Sequence, residues 1–539
     1  MTFSDYLALV RQRPEVAQTS HRRLYRWLTK WGRAHLSSQL FGLETTLDRL
    51  VEGYFGAAAR GMDVRHRILL LVGPPGSGKS TIAEWLKRGL EWYSRQEEGA
   101  LFGLQGCPMH EEPLHLLSRE ERPFWEQELG ITIEGRLCPR CQLRLEEEYQ
   151  SQAERFPVEP VEISEAKRVG IGTFVPGDPK SQDLADLLGS VNFATVGQYG
   201  SESDPRAYCF DGELSAANRG IMEFHELLKC DERFLYPLLS LVQEGQFKAG
   251  RFALISADEV VIGHTNPAEY VAFVRNPRNQ ALASRMFVVP VPYALSPETE
   301  VKIYRKLLGG VHLSPLALEG AAAWAVLTRL DDGQREATEL LQRLHPHLAA
   351  DGRAGANAAF TPGAWPAGMS GVGPRWVVDV LASAYQSSCL AWQALRGNLE
   401  QAILAWWEKS EEEKKRLVYL LDLAQEYIQE RTLQVVGTAL AAAGLGEGVR
   451  ATSGQDSYPG PGLGIGPGID PVRALAYQAL GQGWLCPGAS GGEERWNQVK
   501  RYLWSRCDFC EVCAEEFRRL FYGLPETDLT YGQAYDQMG

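Results

Sequence analysis

Apolar residues recur at every third or fourth position through the first 66 residues, which is the spacing of helices with one buried face. Five consecutive apolar residues follow at 68–72 and lead directly into Gly-Pro-Pro-Gly, which indicates a short buried strand that ends in a turn. Helical spacing resumes after Lys79, and short strands alternate with helices from about 190 to 295. Alternation of this kind predicts an α/β domain built on a parallel sheet.

The same patterns, together with local composition, divide the chain into segments. Residues 94–165 form a long polar insert, and 444–492 is rich in glycine and proline, which is typical of a linker. Helical spacing dominates 297–350 and 374–445. We therefore predict an N-terminal helical region at 1–45, an α/β core at 46–296 that carries the insert 94–165, a helical lid at 297–395, a helical C-terminal region at 396–443, the linker at 444–492 and a cysteine-containing tail at 493–539.

Residues 73–80, between the predicted strand and the helix after it, read Gly-Pro-Pro-Gly-Ser-Gly-Lys-Ser and match the phosphate-binding pattern G-x-x-x-x-G-K-[ST] in full. The glycines let backbone N–H groups face the phosphates, Lys79 reaches the β- and γ-phosphates, and the Ser80 hydroxyl ligates Mg²⁺. We therefore predict that this loop binds ATP with Mg²⁺. The predicted nucleotide-binding residues are Gly73, Pro74, Pro75, Gly76, Ser77, Gly78, Lys79, Ser80 and Thr81.

Two later apolar runs end in polar side chains that such a site needs. The run 220–226 ends in Glu226, whose carboxylate can activate an attacking water, and the run 260–266 ends in Asn266, which can hydrogen-bond the γ-phosphate. A turn-forming role is the alternative for Asn266. His225 stands before Glu226, where an aspartate usually helps to hold Mg²⁺, so Glu223 or a water has to take over that task and hydrolysis is slowed or differently tuned.

Two arginines complete the set of candidate catalytic residues. Arg285 directly precedes another apolar run, the place from which an arginine of a ring ATPase reaches the neighbouring subunit's nucleotide; a surface arginine is the alternative. Arg375 lies at a predicted helix start in the lid, where it can contact the γ-phosphate of its own subunit. Together Lys79, Glu226, Asn266, Arg285 and Arg375 predict a P-loop ATPase of the AAA+ type, with a parallel sheet and a helical lid. Arg285 also predicts a homo-oligomeric ring.

Two groups of cysteines have the spacing of metal ligands. Within the insert, Cys107-x-x-His110 and Cys138-x-x-Cys141 supply four residues that suit a tetrahedral Zn²⁺; buried thiols without a metal are the alternative. In the tail, three further cysteines could form a second metal site with Cys486 as the fourth ligand; they are Cys507, Cys510 and Cys513. The alternative is a helix that carries three thiols and no metal.

The charge, the apolar runs and the cysteine spacing of the chain indicate which partners and which cellular location to expect. The net charge of −13 argues against a protein that coats nucleic acid or anionic lipid, although 11–33 is locally basic and fits either an amphipathic helix or a phosphate-binding face. No apolar run approaches the roughly 20 residues of a membrane helix, and the first residues do not read as a signal peptide. We therefore expect no membrane partner, and because the cysteines cluster in pairs we expect reduced thiols and a cytoplasmic location.

Several long runs resemble one known family. They are CPMHEEPLHLL at 107–117, RVGIGTFVPGDPKSQDLADL at 168–187, the stretch 199–259 that contains GIMEFHE, and MSGVGPRWV at 369–377. On these runs the chain resembles the bacterial PrkA-type serine protein kinases from residue 1 to about 440, and it departs from them beyond that point. The resemblance supports the P-loop, Glu226, Asn266, Arg285 and Arg375 in the roles given above. It also implies that the missing aspartate before Glu226 is a family feature.

The resemblance implies an AAA+ core, phosphorylation of protein substrates on serine, and a role in stress, stationary-phase or sporulation physiology. ATP-dependent proteolysis or protein remodelling is the alternative, and a nucleotide-gated scaffold with weak hydrolysis is a third hypothesis, motivated by His225. The residues themselves contain neither H-R-D-L-x-x-x-N nor D-F-G, the signatures of protein kinases. The P-loop is therefore the site from which a phosphate would pass to serine or to water.

Overall fold

The computed structural model describes residues 1–176, 183–252, 254–309, 311–333, 335–344, 365–385, 390–444, 475–476, 479–480, 485, 489–506 and 509–522. These residues form two compact units. The first contains Met1–Tyr293 and the described residues 365–369, and the second contains the other described residues from Ala294 onward. Cys486, Cys507 and most of the Gly/Pro-rich segment lie outside the described residues. The six-segment division of the chain stays a prediction.

A five-stranded parallel sheet forms the centre of the first unit. The strands are β1 (Ile68–Val72), β2 (Leu101–Leu104), β3 (Val158–Val161), β4 (Ile171–Phe174), β5 (Ser190–Val191), β6 (Tyr208–Cys209), β7 (Gly220–Phe224), β8 (Gln246–Phe247), β9 (Ile255–Ser256), β10 (Glu259–Thr265) and β11 (Met286–Pro290). The central sheet has the order β11-β1-β10-β7-β4. The pairs β2–β3, β5–β6 and β8–β9 are antiparallel.

The strand β1 shows why the apolar run at 68–72 has no polar interruption. All five of its side chains are buried, because successive side chains enter two different hydrophobic cores on the two faces of the sheet. Leu69 and Leu71 pack in a core shared with the helix Ser20–Trp27, whereas Ile68, Leu70 and Val72 pack in a core that includes residues of the helix Phe3–Gln12. Because the strands are parallel, the loops after β1, β10 and β7 leave the sheet at the same edge.

Helices surround this sheet, and the first 66 residues are helical as their pattern predicts. The α-helices of the first unit are Phe3–Gln12, Ser20–Trp27, Arg33–Gln39, Glu44–Asp48, Ala57–Ala59, Lys79–Ser94, Arg122–Leu129, Pro139–Glu147, Leu184–Leu188, Phe193–Tyr199, Glu213–Ala217, Glu232–Glu244, Pro267–Arg275 and Gln280–Ala283, and π-helical turns occur at Leu28–Gly32 and Arg49–Gly56. The insert 94–165 therefore contains two of these helices and the β2–β3 pair.

The locally basic stretch 11–33 is an amphipathic helical segment. Leu24, Trp27 and Leu28 are buried in the core that also contains residues of the helix Lys79–Ser94. On the other face, Lys30 Nζ lies 2.6 Å from Glu98 Oε1. Charges of this stretch thus have carboxylate partners within the protein, which favours the amphipathic-helix interpretation over a phosphate-binding face.

The second unit is helical in the part of the chain that the structure describes. Its helices are Pro297–Leu308, Pro315–Leu330, Ala337–Leu344, Pro374–Ala384, Trp392–Leu404, Glu411–Ala442, Gly492–Arg506 and Glu511–Tyr522. The helix Pro315–Leu330 is buried along nearly its whole length, and a fully buried ion pair of 2.6 Å joins Arg329 to Glu300. Across the described residues, no helix has both the length and the apolar composition that crossing a bilayer requires.

Candidate nucleotide-binding site

Three of the predicted site segments meet at the carboxyl edge of the central sheet. The loop 73–80 follows β1, Asn266 follows β10, and Glu226 lies two residues beyond β7. The N–H of Gly73 donates to Thr265 O at 3.2 Å, which joins the start of the loop to the residue before Asn266. The strand order therefore gathers a Gly-rich loop, a side-chain amide and a carboxylate on one side of the sheet.

The backbone of the loop 73–80 depends on glycine. A Cβ atom on Gly73 would lie only 2.2 Å from Val291 O, so no larger residue fits where the loop passes the end of β11. Gly76 and Gly78 have φ angles of 79° and 104°, which L-residues with a side chain rarely adopt. The helix Lys79–Ser94 begins directly after Gly78, so the free N–H groups of its first turn are available to an anion at the loop.

The side chains of the loop fit a magnesium nucleotide. Lys79 is buried, and its Nζ donates to Gly73 O at 2.6 Å and to Pro74 O at 2.9 Å. The buried Ser77 Oγ has no hydrogen-bond partner among the described residues, and leaving a buried hydroxyl unpaired costs about 1–3 kcal/mol. Ser80 and Thr81 are exposed in the first turn of the helix. Phosphate oxygens would satisfy Ser77 and Lys79, and the exposed Ser80 hydroxyl suits Mg²⁺.

Asn266 has the turn-forming role and keeps a free donor group. It caps the helix Pro267–Arg275, because its Oδ1 accepts a hydrogen bond from Glu269 N at 2.9 Å. The cap uses only the side-chain oxygen and leaves the Nδ2 amide hydrogens for another acceptor. The two interpretations of Asn266 are therefore compatible, since the cap fixes a side chain whose amide group still suits a phosphate oxygen.

Glu226, two residues beyond β7, has an unusual backbone conformation. Its φ of 46° lies in the left-handed region, which residues other than glycine seldom occupy. Its side chain is 38% exposed, and Lys229 Nζ lies 3.6 Å from its Oε2. A partly exposed carboxylate at the edge that carries the loop 73–80 can accept a proton from water or from a hydroxyl.

The buried Glu223 on β7 pairs with a lysine and two histidines. Its Oε2 lies 2.8 Å from Lys87 Nζ, and its Oε1 lies 3.4 Å from His225 Nε2 and from His264 Nε2. The Lys87 ammonium and the two histidines thus share this carboxylate in one largely buried cluster. The role of Glu223 as the substitute Mg²⁺ ligand stays a prediction.

The charges in this cluster stabilise one another. Burial raises the pKa of Glu223, but hydrogen bonds from His225 and His264 and the charge of Lys87 outweigh it and hold that pKa well below its usual range. The hydrogen bond to Glu223 raises the pKa of His225 above its ordinary value. The residue that replaces an aspartate before Glu226 is thus a partner of a buried carboxylate.

Arg285 lies at the amino ends of the strands β1 and β11, whereas the loop 73–80 follows the carboxyl end of β1. Its carbonyl accepts a hydrogen bond from Ile68 N at the first residue of β1, and its side chain donates to Ala281 O and to Gln243 Oε1. A strand of five residues separates its two ends by about 13 Å. Arg285 is therefore too distant to act in the site of its own chain, and its predicted role across a subunit interface stays a prediction.

Arg375 belongs to the second unit. It is exposed in the first turn of the helix Pro374–Ala384, which begins at a proline, a residue suited to the first helical position. The contact between Arg375 and a γ-phosphate stays a prediction.

The cysteines of the insert come together with a different fourth residue from the one that their spacing suggests. The Sγ atoms of Cys107, Cys138 and Cys141 and a carboxylate oxygen of Glu111 all lie within 4.8 Å of one another, and all four residues are buried. His110 is not part of this group. The His110 backbone is left-handed, with a φ of 47°. Glu111, the next residue, is held in the cluster because its Oε2 accepts a hydrogen bond from Cys138 N at 2.8 Å.

A second group of this kind lies in the second unit. Cys510 Sγ is 3.2 Å from Cys513 Sγ, and Cys513 Sγ is 3.6 Å from His312 Nε2. The other predicted members, Cys486 and Cys507, lie outside the described residues.

Sequence reasoning missed Glu111, Lys87, His264 and His312 as members of these clusters. For Lys87 a signal was present, since Ala83, Leu86 and Leu90 define the buried stripe of the helix and position 87 falls on that stripe. His312 is far from the cysteines along the chain, so no spacing pattern indicated it.

Comparison with known families matches residues 29–337 to the PrkA AAA domain. Over 399 residues the chain is 49% identical to a Bacillus subtilis (strain 168) protein named ATP-dependent protease PrkA, covering 71% of this chain and 63% of that protein. Over 320 residues it is 31% identical to a protein of Escherichia coli (strain K12) named serine/threonine kinase YeaG, covering 57% of this chain and 48% of that protein. The chain thus spans less than two thirds of the length of each of these relatives.

Two solved structures are also similar. NtrX from Brucella abortus in complex with ADP is 12% identical with a TM-score of 0.30, over 74% of this chain and 65% of that chain. The complex between subunits BchI and BchD of magnesium chelatase matches at 16% identity and a TM-score of 0.28, over 71% of this chain and 92% of that chain. Scores this low carry no argument, so the assignment rests on the family model and the parallel sheet. The family model confirms the predicted family, and the parallel sheet agrees with the predicted fold class: the chain belongs to the family of the PrkA AAA domain and has an AAA+ P-loop core.

Proposed function

We propose that this chain binds ATP with Mg²⁺ at the loop 73–80 and transfers the γ-phosphate to a serine hydroxyl of a protein substrate. The observation that carries the nucleotide part is the loop itself. It combines a glycine-dependent backbone, the buried Lys79, the unpaired hydroxyl of Ser77 and the start of a 16-residue helix. Each of these features provides donors or positive charge for phosphate oxygens.

The residues at the sheet edge have complementary roles in the transfer. When bound, Mg²⁺ neutralises charge on the β- and γ-phosphates, and the Ser80 hydroxyl would hold it. Lys79 and the loop N–H groups orient the phosphates, and the Asn266 amide orients the γ-phosphate. The Glu226 carboxylate takes the proton of the attacking serine hydroxyl, and the hydroxyl oxygen bonds to the γ-phosphorus. The bond from that phosphorus to the β–γ bridging oxygen breaks, and ADP leaves.

The identity of the phosphate acceptor is inferred from relatives of this chain. A serine acceptor is supported by the resemblance to serine protein kinases and by the name of the E. coli relative. With water as the nucleophile the atoms balance in the same way, and inorganic phosphate is the product. We place the activity in stress, stationary-phase or sporulation physiology on the same resemblance.

ATP-driven proteolysis or remodelling is the second candidate function. It is favoured by the 49% identity to a protein named ATP-dependent protease PrkA. In this case the phosphate passes to water, and the energy of hydrolysis drives movement of a bound protein chain. A homo-oligomeric ring, with Arg285 of one subunit at the nucleotide of the next, is part of both candidates.

Radiolabel transfer tests the proposal. The protein is incubated with γ-labelled ATP, Mg²⁺ and casein, and labelled serine in casein, free phosphate and casein fragments are measured. Labelled serine that is lost in Glu226→Gln and Lys79→Ala supports the kinase function. Free phosphate alone, with intact casein, overturns the serine transfer but leaves an ATPase. Casein fragments that depend on ATP support the second candidate.

A matched variant controls for the loss of a carboxylate. Glu244 is exposed at the end of the helix Glu232–Glu244, so Glu244→Gln should keep full turnover. ATP affinity is measured in parallel by equilibrium binding. If wild-type protein binds no ATP, or if Lys79→Ala binds it as well as wild type does, the assignment of the loop 73–80 is wrong.

A further inference from the structure

We propose that Cys107, Glu111, Cys138 and Cys141 bind one structural zinc ion in the first unit. None of the four takes part in the nucleotide chemistry described above. Cys107 and Glu111 lie in the turn that follows β2, and Cys138 and Cys141 lie at the start of the helix Pro139–Glu147. Their four ligand atoms are buried and lie within 4.8 Å of one another, as ligands around one ion must.

The distances between these atoms fit a tetrahedral zinc site. With Zn–S bonds of about 2.3 Å, two sulfurs of a tetrahedron are about 3.8 Å apart, and a sulfur and a carboxylate oxygen are about 3.6 Å apart. The observed separation of Cys107 Sγ from Cys138 Sγ is 3.9 Å, and that of Cys107 Sγ from Glu111 Oε1 is 3.5 Å. The sulfur separation is far longer than the roughly 2 Å of a disulfide.

The protein fixes the carboxylate so that one oxygen is left for the ion. Glu111 Oε2 accepts from Cys138 N at 2.8 Å and lies 3.4 Å from His115 Nδ1, whereas Glu111 Oε1 lies beside the Cys107 sulfur. His115 is itself oriented, since its Nε2 lies 2.7 Å from Glu134 O. Outer contacts of this kind orient the ligands of metal sites. The sulfur of Cys138 also accepts a hydrogen bond from Cys141 N at 3.4 Å, which fixes its position beside the other ligands.

The zinc would stabilise the loop that supports β7. Between the two ligands of this loop, Met109 O accepts from Asn218 Nδ2 at 2.8 Å. The next residue after Glu111 is Glu112, which forms a largely buried ion pair with Arg219, the residue that directly precedes β7. The strand β7 then leads to Glu226. We infer that the ion holds the 107–112 loop in the shape that supports the strand carrying the candidate catalytic carboxylate.

Metal analysis of matched variants tests the site. Wild-type protein purified without chelators should contain zinc, and Cys138→Ser should contain about one equivalent less. Glu111→Gln should weaken zinc binding by at least about tenfold. His110→Ala and Cys209→Ser, which alter the neighbouring histidine and a cysteine outside the cluster, should keep the wild-type content. The zinc content of each variant is compared with that of wild type, because the second cluster of His312, Cys510 and Cys513 could also contribute zinc to the total.

Two results would overturn the proposal. Equal zinc in Cys138→Ser and in wild type removes the site, and loss of zinc in His110→Ala but not in Glu111→Gln removes the ligand assignment. A measurement on unmodified protein covers the case in which the variants do not fold. Stoichiometric organomercurial should release zinc together with the titration of buried thiols, and Co²⁺ exchanged into the protein should show thiolate charge-transfer and tetrahedral d–d absorption. Free reactive thiols with neither zinc release nor cobalt bands would contradict it.

Hydrogen exchange tests the link to β7 without any readout of turnover. Removal of zinc should raise the exchange of amides in 107–112 and 220–224, while amides of β1 stay protected. Unchanged exchange in 220–224 after complete loss of zinc would show that the ion does not support this strand.

Discussion

The ammonium of Lys87 lies 2.8 Å from Oε2 of Glu223, in a buried contact between the helix that follows the P-loop and the strand that leads to Glu226. A second carboxylate, that of Glu165, lies 2.5 Å from the same ammonium. This lysine therefore joins three segments around the candidate site through charge. Two histidines on the other oxygen of Glu223 complete the cluster.

Removing the lysine should destabilise the first unit strongly. Lys87→Met leaves the buried Glu223 without its cation, and breaking a buried ion pair from one side costs about 3–5 kcal/mol. The free energy of unfolding is measured by urea denaturation. Arg88→Met is the matched control, because Arg88 is 73% exposed and its pair with Glu84 should contribute at most about 1 kcal/mol. Equal stability of the two variants would contradict the role of Lys87.

The stability of the protein should depend on the protonation of His225. The folded-state pKa of His225 is raised, so the stabilisation by its protonated form is complete below the ordinary histidine value of about 6.5 and is lost as the pH rises through the folded-state value. The pKa of Glu223 is lowered, so its contribution is present above about pH 4.5 and is lost as the pH falls below that value.

Thermal unfolding of wild type and His225→Gln between pH 5 and 9 tests this dependence. The wild-type advantage over the variant should be greatest near pH 6 and should shrink as the pH increases. His35→Gln, at an exposed position, should show no such trend relative to wild type. A wild-type advantage that grows with pH would have the wrong sign.

Two substitutions of Asn266 should separate its capping role from its role at the phosphate. Asn266→Asp keeps an oxygen that caps the helix Pro267–Arg275 but replaces the amide donor with a negative charge. We expect unchanged stability and at least a tenfold loss of kcat for ATP turnover. Asn266→Ala removes both and should also lower stability by about 1 kcal/mol. If Asn266→Asp turns over ATP like wild type, the side chain is only a helix cap.

Arg285 should act on the nucleotide of another subunit. Arg285→Ala should bind ATP with nearly unchanged affinity and lose turnover, since its guanidinium lies at the opposite sheet edge from its own loop 73–80. Mixing Arg285→Ala with Lys79→Ala should restore part of the activity, because a mixed interface can combine an intact loop with an intact arginine. Failure of complementation, with both variants shown to assemble together, would exclude the role across the interface.

Much of the fold and part of the site could be predicted from the sequence because local patterns encode them. The apolar run 68–72 and the glycines of 73–80 specify a strand and a turn over a few residues, and the α/β class follows from the alternation of such elements. Cysteine spacing likewise indicated that Cys107, Cys138 and Cys141 lie together. The structure places Glu111 rather than His110 beside these three thiols, because contacts between distant segments, such as the one from Cys138 N to the Glu111 carboxylate, are not revealed by spacing.

The Gly-rich loop 73–80, the parallel α/β core and the family could all be predicted from the amino-acid sequence, since these depend on short-range chemistry and on long runs of characteristic residues. The partners of the charged residues, in contrast, became evident from the folded chain alone. Glu223 pairs with Lys87, which lies on the helix after the loop 73–80, and Arg285 lies at the end of the strands opposite its own loop. Strand order and helix packing set the distances between residues that are far apart in the chain, and the energies of buried charges depend on those distances.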